Sequence, residues 1–363
     1  MTAHSMALRI DVHEGAMPAD YGVFVDSCAT SLVQQSAEWC RVISHDVRDT
    51  LVTFVARDGG GAIVGVLAAC HYRGMYGDLL ISAPQAGSYG GVVVQPGAHA
   101  RSVERALLER FVAESTARGC LLATVSTPPF HGDDALYRDA LMPDFSRSNF
   151  YQYIDLSATP LDDDARRAAK YEKRARAAQV KHGFVVRFGA EALYYEAWLA
   201  LHEARMSAIG AAPLPRWYLE AIRTEVLAAG KGTLAVIERE GRLLAGCLFV
   251  GQQQVLDVFS LVGTEEGDAT LATSVLVVES LAWARTRGVR WFNWQSCSSR
   301  ESGVYHFKAK WGSQVADHHY FTRITGDIAA LRHVPLDEVR ATYPWHYVMP
   351  FEQFVSPVSL CQS

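Results

Sequence analysis

The order of predicted elements occurs twice along the chain, and this repetition constrains the fold more than any other feature of the sequence. The first half predicts a hairpin, a third strand, a helix and a further strand, at residues 51–56 with 62–71, 91–94, 100–117 and 120–126. The second half predicts the same series, at residues 233–238 with 243–250, 255–262, 270–285 and 289–295. The pattern indicates one α/β fold in two consecutive copies, although the same series is also common in unrelated α/β proteins.

Two short matches within the chain support duplication. Gly65–Leu67 corresponds to Gly246–Leu248, and an Arg-Gly pair ends the predicted helix of each copy at Gly119 and Gly288. Glycine suits both helix ends because it readily adopts the left-handed conformation of a helix cap. The two correspondences have different spacings along the chain, so we expect the copies to differ in loop length.

The segment between the copies, residues 161–182, predicts a helix rich in alanine, arginine and lysine. It opens on three aspartates at 162–164, which suit the first turn of a helix, and it stops at Gly183. We expect this helix to complete an N-terminal subdomain of residues 1–182. A C-terminal subdomain of residues 183–363 then follows.

Charge and cysteine content narrow the class of protein. A formal net charge of −5 argues against a protein that coats nucleic acid, and no DNA partner is expected. Seven cysteines without a Cys-x-x-Cys pair indicate reduced thiols. The N-terminal residues do not have the pattern of a secretion signal, and no apolar run reaches the roughly 18 residues of a transmembrane helix. We therefore expect a cytoplasmic protein without stable membrane insertion.

The predicted helix between the copies is strongly basic in an otherwise acidic chain. Its cations fall largely on one helical stripe, formed by Arg166, Lys170, Lys173, Arg174 and Lys181. Such a stripe suits a phosphate backbone, because neutralised phosphates release their counterions. An ordinary solvated helix face fits the pattern equally well. The five residues are candidates for contact with RNA or with a nucleotide-sugar diphosphate.

Aromatic and cationic residues alternate within the glycine-bounded stretch 303–312. If this stretch is a strand, Lys308 and Lys310 share one face while Phe307 and Trp311 share the other. The aromatic face would then pack into the core and the lysine face would point toward a ligand. An ordinary amphipathic strand with lysines that reach solvent is the alternative.

Other features of the sequence say less about a possible reaction or ligand. Arg205 precedes a loop rich in glycine and proline, where a basic side chain either faces a cleft or lies on the surface. His318 and His319 have no cysteine or carboxylate at ligand spacing, so no metal site is expected. The sequence has no Gly-x-Ser-x-Gly elbow, Walker loop or Gly-x-Gly-x-x-Gly fingerprint.

The repeated series resembles the GNAT acyltransferase fold, and the C-terminal motifs resemble the FemAB family. These motifs are Trp-Phe-Asn-Trp at 291–294, Gly-x-Tyr-x-Phe-Lys-x-x-Trp-Gly at 303–312, and Arg-Met-x-x-x-Gly at 205–210. The Phe-Lys-x-x-Trp-Gly part is the most specific, and the resemblance spans about residues 20–325. The motif residues and the adjacent Gln295 supply six candidates for substrate binding: Arg205, Asn293, Gln295, Tyr305, Phe307 and Trp311.

The resemblance implies two tandem GNAT-like subdomains with a substrate groove at their junction. It implies transfer of an aminoacyl group from aminoacyl-tRNA to an amine, in a cell-wall precursor or a small antibiotic, whereas other members are acyltransferases linked to exopolysaccharide. It also implies a functional role in the groove for Lys308. Relatives often read Phe-Asp-Phe-Gly-Arg-Ser where residues 292–297 read Phe-Asn-Trp-Gln-Ser-Cys, so the usual acceptor does not carry over.

The choice of donor depends on a loop that enzymes using acetyl-CoA carry in this fold. In them an Arg/Gln-x-x-Gly-x-Gly/Ala loop holds the pyrophosphate at a helix N-terminus. The first copy has a misplaced glycine at residues 95–100, and the second places Glu265, Glu266 and Asp268 there. Neither loop suits a pyrophosphate, which favours aminoacyl-tRNA but equally fits a domain that has lost catalysis.

The expected reaction is direct attack of an amine on an ester carbonyl, without a cofactor. The enzyme must align both partners, stabilise an oxyanion and accept a proton. Lys308 and Asp257 are the catalytic candidates, the second of them as proton acceptor. Asp257 is also compatible with a purely structural polar residue on a sheet. An N-acyltransferase that depends on CoA or a carrier protein, and a non-catalytic ligand-binding module, are the alternatives.

Overall fold

The computed structural model describes residues 7–46, 48–82, 89–130, 132–158, 163–297, 299–346 and 348–355, with the backbone alone at 163–165. The chain forms two compact units. Unit 1 comprises residues 1–149 and 317–363, and unit 2 comprises residues 150–316. Within the described ranges, no helix is both long and apolar enough to cross a membrane.

The helices and strands follow in chain order. The first are β1 (Arg9–Glu14), α1 (Tyr21–Ser27), α2 (Ala37–Ile43), β2 (Asp49–Arg57), β3 (Ile63–Tyr72), β4 (Leu79–Ile81), β5 (Val92–Val94), α3 (Ala100–Ala117), β6 (Leu122–Ser126), α4 (Asp134–Leu141) and β7 (Phe145–Asp155). The remainder are α5 (Asp163–His182), β8 (Val185–Phe188), α6 (Glu191–Ala208), α7 (Arg216–Ala221), β9 (Gly232–Arg239), β10 (Arg242–Gln252), β11 (Val255–Gly263), α8 (Glu265–Ala269), α9 (Ala272–Thr286), β12 (Trp291–Ser296), α10 (Gly303–Ala309), β13 (Gln314–Ile324) and α11 (Leu336–Thr342).

Unit 1 is built on a mixed sheet. Strands β1, β2 and β3 pair antiparallel in chain order, β3 also pairs with β4 and β5, and β4 runs parallel to β6. Helix α3 covers one face of this sheet, where the buried Phe111 ring contacts Phe54 edge to face at 5.7 Å. The helix ends before Gly119, whose φ of +70° provides the predicted left-handed cap.

Unit 2 repeats this series of elements, with strands β8 to β12 in mixed pairing. Strand β11 pairs with β10 and runs parallel to β12, while β8, β9 and β10 pair antiparallel. Helix α9 packs on the face of β10 that carries Cys247, and α6 packs on the face where Gly246 leaves room for Trp198. The expected α/β class with a duplicated series of elements is confirmed.

Helix α5 packs against α9 and buries Ala175 and Ala178 in the core of unit 2. The expected subdomains, 1–182 and 183–363, differ from the compact units because this alanine face belongs to the second core. The C-terminal residues 317–355 also lie in unit 1. The limits 1–182 and 183–363 refer to the expected duplication and stay a prediction. The compact units have different limits.

Candidate functional site

The expected strand at 303–312 is a helix instead, so the expectation that Lys308 and Lys310 share a strand face was wrong. Helix α10 begins after Ser302, whose hydroxyl accepts a hydrogen bond from the Tyr305 amide at 3.1 Å. Residues two apart point in nearly opposite directions on a helix, whereas residues four apart share a face. Phe307 and Trp311 therefore lie together, with their ring centres 6.1 Å apart.

The Lys308 side chain is buried at the end of β12. It is 6% exposed, and its Nζ donates to the backbone oxygens of Gln295 at 3.1 Å and Ser296 at 2.9 Å. Burial lowers the pKa of the Lys308 amine to about 8, while the nearby Cys297 thiol opposes this effect. The amine is therefore fixed by neutral carbonyl groups and can exchange a proton near neutral pH.

Two polar residues lie side by side in the parallel register of β11 and β12. Asn293 Nδ2 donates to Asp257 Oδ1 at 2.7 Å, and both side chains are fully buried. Asn293 Oδ1 accepts from the backbone N–H of Gln295 at 3.0 Å. The structure thus brings together four of the predicted site residues: Asp257, Asn293, Gln295 and Lys308.

Strand β12 is irregular where it meets Lys308. Gln295 has a φ of +59°, in the left-handed region that favours glycine. Trp294 is an extra residue in the pairing of β12 with β7, since Asn293 lies opposite Tyr153 and Gln295 opposite Gln152. Such bulges redirect the backbone and the side chains that follow them. A glycine at this position would adopt the same conformation at little steric cost.

Gln152 is a buried residue of this site that the sequence analysis missed. Its Nε2 donates to the Tyr305 carbonyl at 3.3 Å and to Ser313 Oγ at 3.1 Å, while its Oε1 lies 3.8 Å from Cys297 Sγ. The side chain therefore ties β7 to both ends of the segment that carries α10. An amide within the otherwise aromatic run of β7 was the available signal, because buried polar groups need partners.

Of the aromatic residues predicted to bind substrate, two pack against β12 and one is partly exposed. Trp311 is buried, and Phe307 contacts Trp294 edge to face at 6.1 Å. Tyr305 is half-buried, and its ring lies 6.0 Å from that of Phe150. Trp311 and Phe307 therefore fix α10 against β12, while Tyr305 retains surface that a ligand can reach. Their predicted role in substrate binding stays a prediction.

Arg205 lies on the surface of α6. It occupies the last turn of that helix and is exposed. Among the described residues, no hydrogen bond or ion pair joins it to the cluster around Lys308. Its predicted role in substrate binding therefore gains no support from a contact.

The five predicted cations of α5 are all exposed. Lys173 and Arg166 lie on the side of the helix opposite the buried alanines, and Arg174 and Lys181 lie at the flank of the alanine face. Arg176 lies away from the stripe and pairs with Glu172 at 2.7 Å and Glu279 at 3.8 Å. The stripe is thus an exposed cationic surface, and Glu172 and Glu279 contact Arg176, which lies outside it.

In the loop before α9, the polar side chains already form hydrogen bonds and ion pairs within the protein. Thr264 Oγ1 accepts from the Gly267 amide, and its backbone oxygen accepts from the Asp268 amide, each at 2.9 Å. Asp268 Oδ1 accepts from Thr273 Oγ1, in the first turn of α9, at 2.8 Å. Glu266 forms ion pairs with Arg239 and, at 2.8 Å, with Arg242. The loop amides of Gly267 and Asp268 are thus already bonded to Thr264, and the Asp268 carboxylate lies at the first turn of α9, where the helix dipole is positive.

The two adjacent histidines lie in unit 1. His318 is buried, and His319 Nδ1 lies 2.9 Å from Asp134 Oδ2. Within the described ranges, no three His, Cys, Asp or Glu side chains are grouped to hold a metal ion.

Comparison with known proteins agrees with this architecture. The profile of the acetyltransferase (GNAT) domain family matches residues 164–308, which cover most of unit 2 and end at Lys308. A search of curated protein sequences found no match. The described fold and this match show a GNAT-type acyltransferase domain in residues 164–308.

Solved structures with similar folds cover nearly the whole chain. FemX has a TM-score of 0.67 at 12% identity, covering 85% of this chain and 97% of FemX. A tandem GNAT protein from the clavulanic acid biosynthesis pathway has a TM-score of 0.52 at 14% identity, with 88% and 99% covered. L-PGS from Bacillus licheniformis has a TM-score of 0.53 at 12% identity, with 91% and 97% covered. These likenesses establish a FemX-like tandem GNAT fold.

Proposed function

We propose that the protein transfers an aminoacyl group from aminoacyl-tRNA to an amine acceptor, which forms an amide. The observation that carries this proposal is the loop before α9, where Asp268 bonds to Thr273 and Glu266 pairs with two arginines. A CoA pyrophosphate at this helix end would meet carboxylates and amides that are already bonded. A donor that carries its acyl group on RNA does not need this site.

The cationic stripe of α5 supports an RNA donor. Five exposed cations on one helix face offer contacts to successive phosphates, and their binding would release counterions. One structural relative is named a lysylphosphatidylglycerol synthetase, from Agrobacterium fabrum (TM-score 0.55, 12% identity, 86% of this chain and 92% of that chain). Its name refers to an aminoacylated product, which supports an aminoacyl cargo.

In the proposed reaction the acceptor nitrogen attacks the ester carbonyl of the aminoacyl group. The C–N bond forms, the ester C–O bond breaks, and the ribose hydroxyl of the tRNA leaves with the proton that the amine loses. Lys308 would supply a fixed positive charge for the developing oxyanion or for a phosphate. Asp257 stays a candidate proton acceptor, although its full burial and its bond to Asn293 favour a positioning role.

A CoA-dependent N-acyltransferase is the second candidate. It is favoured by the match of residues 164–308 to an acetyltransferase family and by the relative from the clavulanic acid pathway, whose structure is described as lacking AcCoA. The two candidates predict different ligands for the same fold, so ligand binding separates them.

Ligand-induced thermal stabilisation tests the proposal. A ligand that binds the folded protein raises stability by about RT ln(1 + [L]/Kd), or about 2.7 kcal/mol at a hundredfold excess over Kd. We expect a rise in Tm with charged tRNA and none with acetyl-CoA, with uncharged tRNA and free amino acid as controls. Stabilisation by acetyl-CoA alone would favour the second candidate and refute the proposal.

A further inference from the structure

A continuous chain of hydrogen bonds, buried at Asp257 and partly buried at Gln295, runs from β11 to the amine of Lys308. Asp257 Oδ1 accepts from Asn293 Nδ2, and Asn293 Oδ1 accepts from the Gln295 amide, at 2.7 and 3.0 Å. The Gln295 carbonyl then accepts from Lys308 Nζ at 3.1 Å. The chain therefore links a carboxylate and an ammonium group that do not pair directly.

Each link depends on a particular chemical group. Asn293 uses one amide end as donor and the other as acceptor, so an apolar residue at this position would break both bonds. The loss would remove a hydrogen-bond partner from the buried Asp257 carboxylate and from the partly buried Gln295 N–H, which costs stability. Asn293 therefore fixes the positions of both the Asp257 carboxylate and the Gln295 N–H.

Gln295 is the point at which this chain of bonds acts on Lys308. Its left-handed conformation is unfavourable for a non-glycine residue and persists only where the surroundings fix it. Asn293 binds the N–H of Gln295, and Lys308 binds its carbonyl. The conformation of one peptide thus depends on both side chains together.

We infer that Asn293 is a positioning residue that holds the carbonyl groups around the Lys308 amine through the backbone of Gln295. It therefore acts through Gln295 instead of binding the substrate. Both ends of its amide are bonded within the protein, which distinguishes it from the predicted substrate-binding role. The functional meaning rests on the proposed role of Lys308 in transfer. The test below needs no substrate, so a failure here is distinguishable from a failure of the proposed function.

The pKa of Lys308 measured by NMR reports on this arrangement. The chain has six lysines, so protein labelled with [13Cε]lysine gives few signals, and the Lys308→Arg variant assigns one of them. The titratable groups that bear on the amine are the Cys297 thiol beside it and Asp257 at the far end of the bond chain. In Asn293→Ala we expect the carbonyls to separate, water to reach the amine, and its pKa to rise from about 8 toward 10.5.

Two further variants keep the test decisive. Ser260→Ala removes a partly buried hydrogen bond to His202 from the same strand β11 and should leave the Lys308 pKa unchanged. Asp257→Asn keeps an oxygen acceptor for Asn293 Nδ2 and removes the carboxylate charge, so the Lys308 pKa should stay near or below the wild-type value. An Asn293→Ala protein in which the pKa stays at about 8 or falls would overturn the inference. An Asp257→Asn variant that folds but raises the Lys308 pKa as Asn293→Ala is expected to do would overturn it too.

Discussion

Lys308→Met should change how stability depends on pH. The Lys308 amine has a pKa of about 8 in the folded protein and about 10.5 in an unfolded chain. Between these values the folded protein loses this proton while the unfolded chain keeps it, so the Lys308 contribution to the unfolding free energy rises with pH. Below pH 8 both states are charged, and folding must bury the ammonium group.

The size of this effect follows from the two pKa values. A pKa difference of one is worth about 1.4 kcal/mol, so the full rise between pH 8 and 10.5 is about 3 kcal/mol. The stability of wild type relative to Lys308→Met should therefore increase by up to that amount across this range. Buried thiols and phenols, such as Cys247 and Tyr137, have raised pKa values in the folded protein. Their contribution to the unfolding free energy therefore falls as the pH rises. This fall occurs in both proteins and cancels in the difference.

Urea unfolding followed by tryptophan fluorescence measures this difference. Six of the eight tryptophans belong to unit 2, namely Trp198, Trp217, Trp283, Trp291, Trp294 and Trp311. The Lys310→Met variant removes a lysine from the end of the same helix and serves as the matched control. A wild-type minus Lys308→Met difference that stays constant between pH 8 and 10 would refute the assignment of a buried, proton-exchanging amine.

Three other outcomes follow from the described contacts. The double variant Lys170→Glu with Arg174→Glu should bind charged tRNA more weakly in filter binding. The slope of log affinity against log salt concentration should fall by about 0.7–0.9 for each lost phosphate contact. An unchanged affinity and slope would contradict a role for the stripe. Isothermal titration of the wild type with acetyl-CoA should show no micromolar binding, and a micromolar Kd would contradict the account of the loop before α9. In chemical unfolding, Gln295→Gly should be more stable than Gln295→Ala by about 1 kcal/mol, because only glycine tolerates the left-handed conformation freely; equal stabilities would contradict that conformation.

The regular elements of both copies could be predicted because local pattern and tertiary packing agree in them. Helix α3 has its predicted limits, and β11 differs from its prediction by one residue. Strands β7 and β13 gave no clear signal, since their exposed and buried residues do not alternate regularly. Their pairing with distant strands is set by the rest of the fold, which a local pattern does not contain.

The error at α10 has a local cause. Aromatic and cationic residues alternate there with the period of a strand, but Phe307 and Trp311 also have the spacing of a helix face. Ser302, three residues before Tyr305, was an N-cap signal that favoured the helix. In so short a segment, an N-cap residue predicts a helix more reliably than alternating residue types predict a strand.

The candidate site was predicted in part. The family motif drew attention to Lys308, while its burial, its carbonyl partners and its contact with β12 depend on tertiary structure. Asp257 and Asn293 were separate candidates in the sequence, and the parallel register of β11 and β12 pairs them. Residues distant in sequence become neighbours only through strand pairing, so the bond chain between them could not be read from spacing.

A direct transfer assay tests the central claim that the acyl donor is aminoacyl-tRNA. Purified protein is incubated with tRNA charged with a mixture of 14C-labelled amino acids and with the small-molecule fraction of the source cells as acceptor. The account predicts labelled, alkali-stable amide product with wild type, loss of turnover by about 10²–10³ in Lys308→Met, and no acetylated product when acetyl-CoA replaces the tRNA. Acetylated amide from acetyl-CoA, with no labelled amide from charged tRNA, would contradict it.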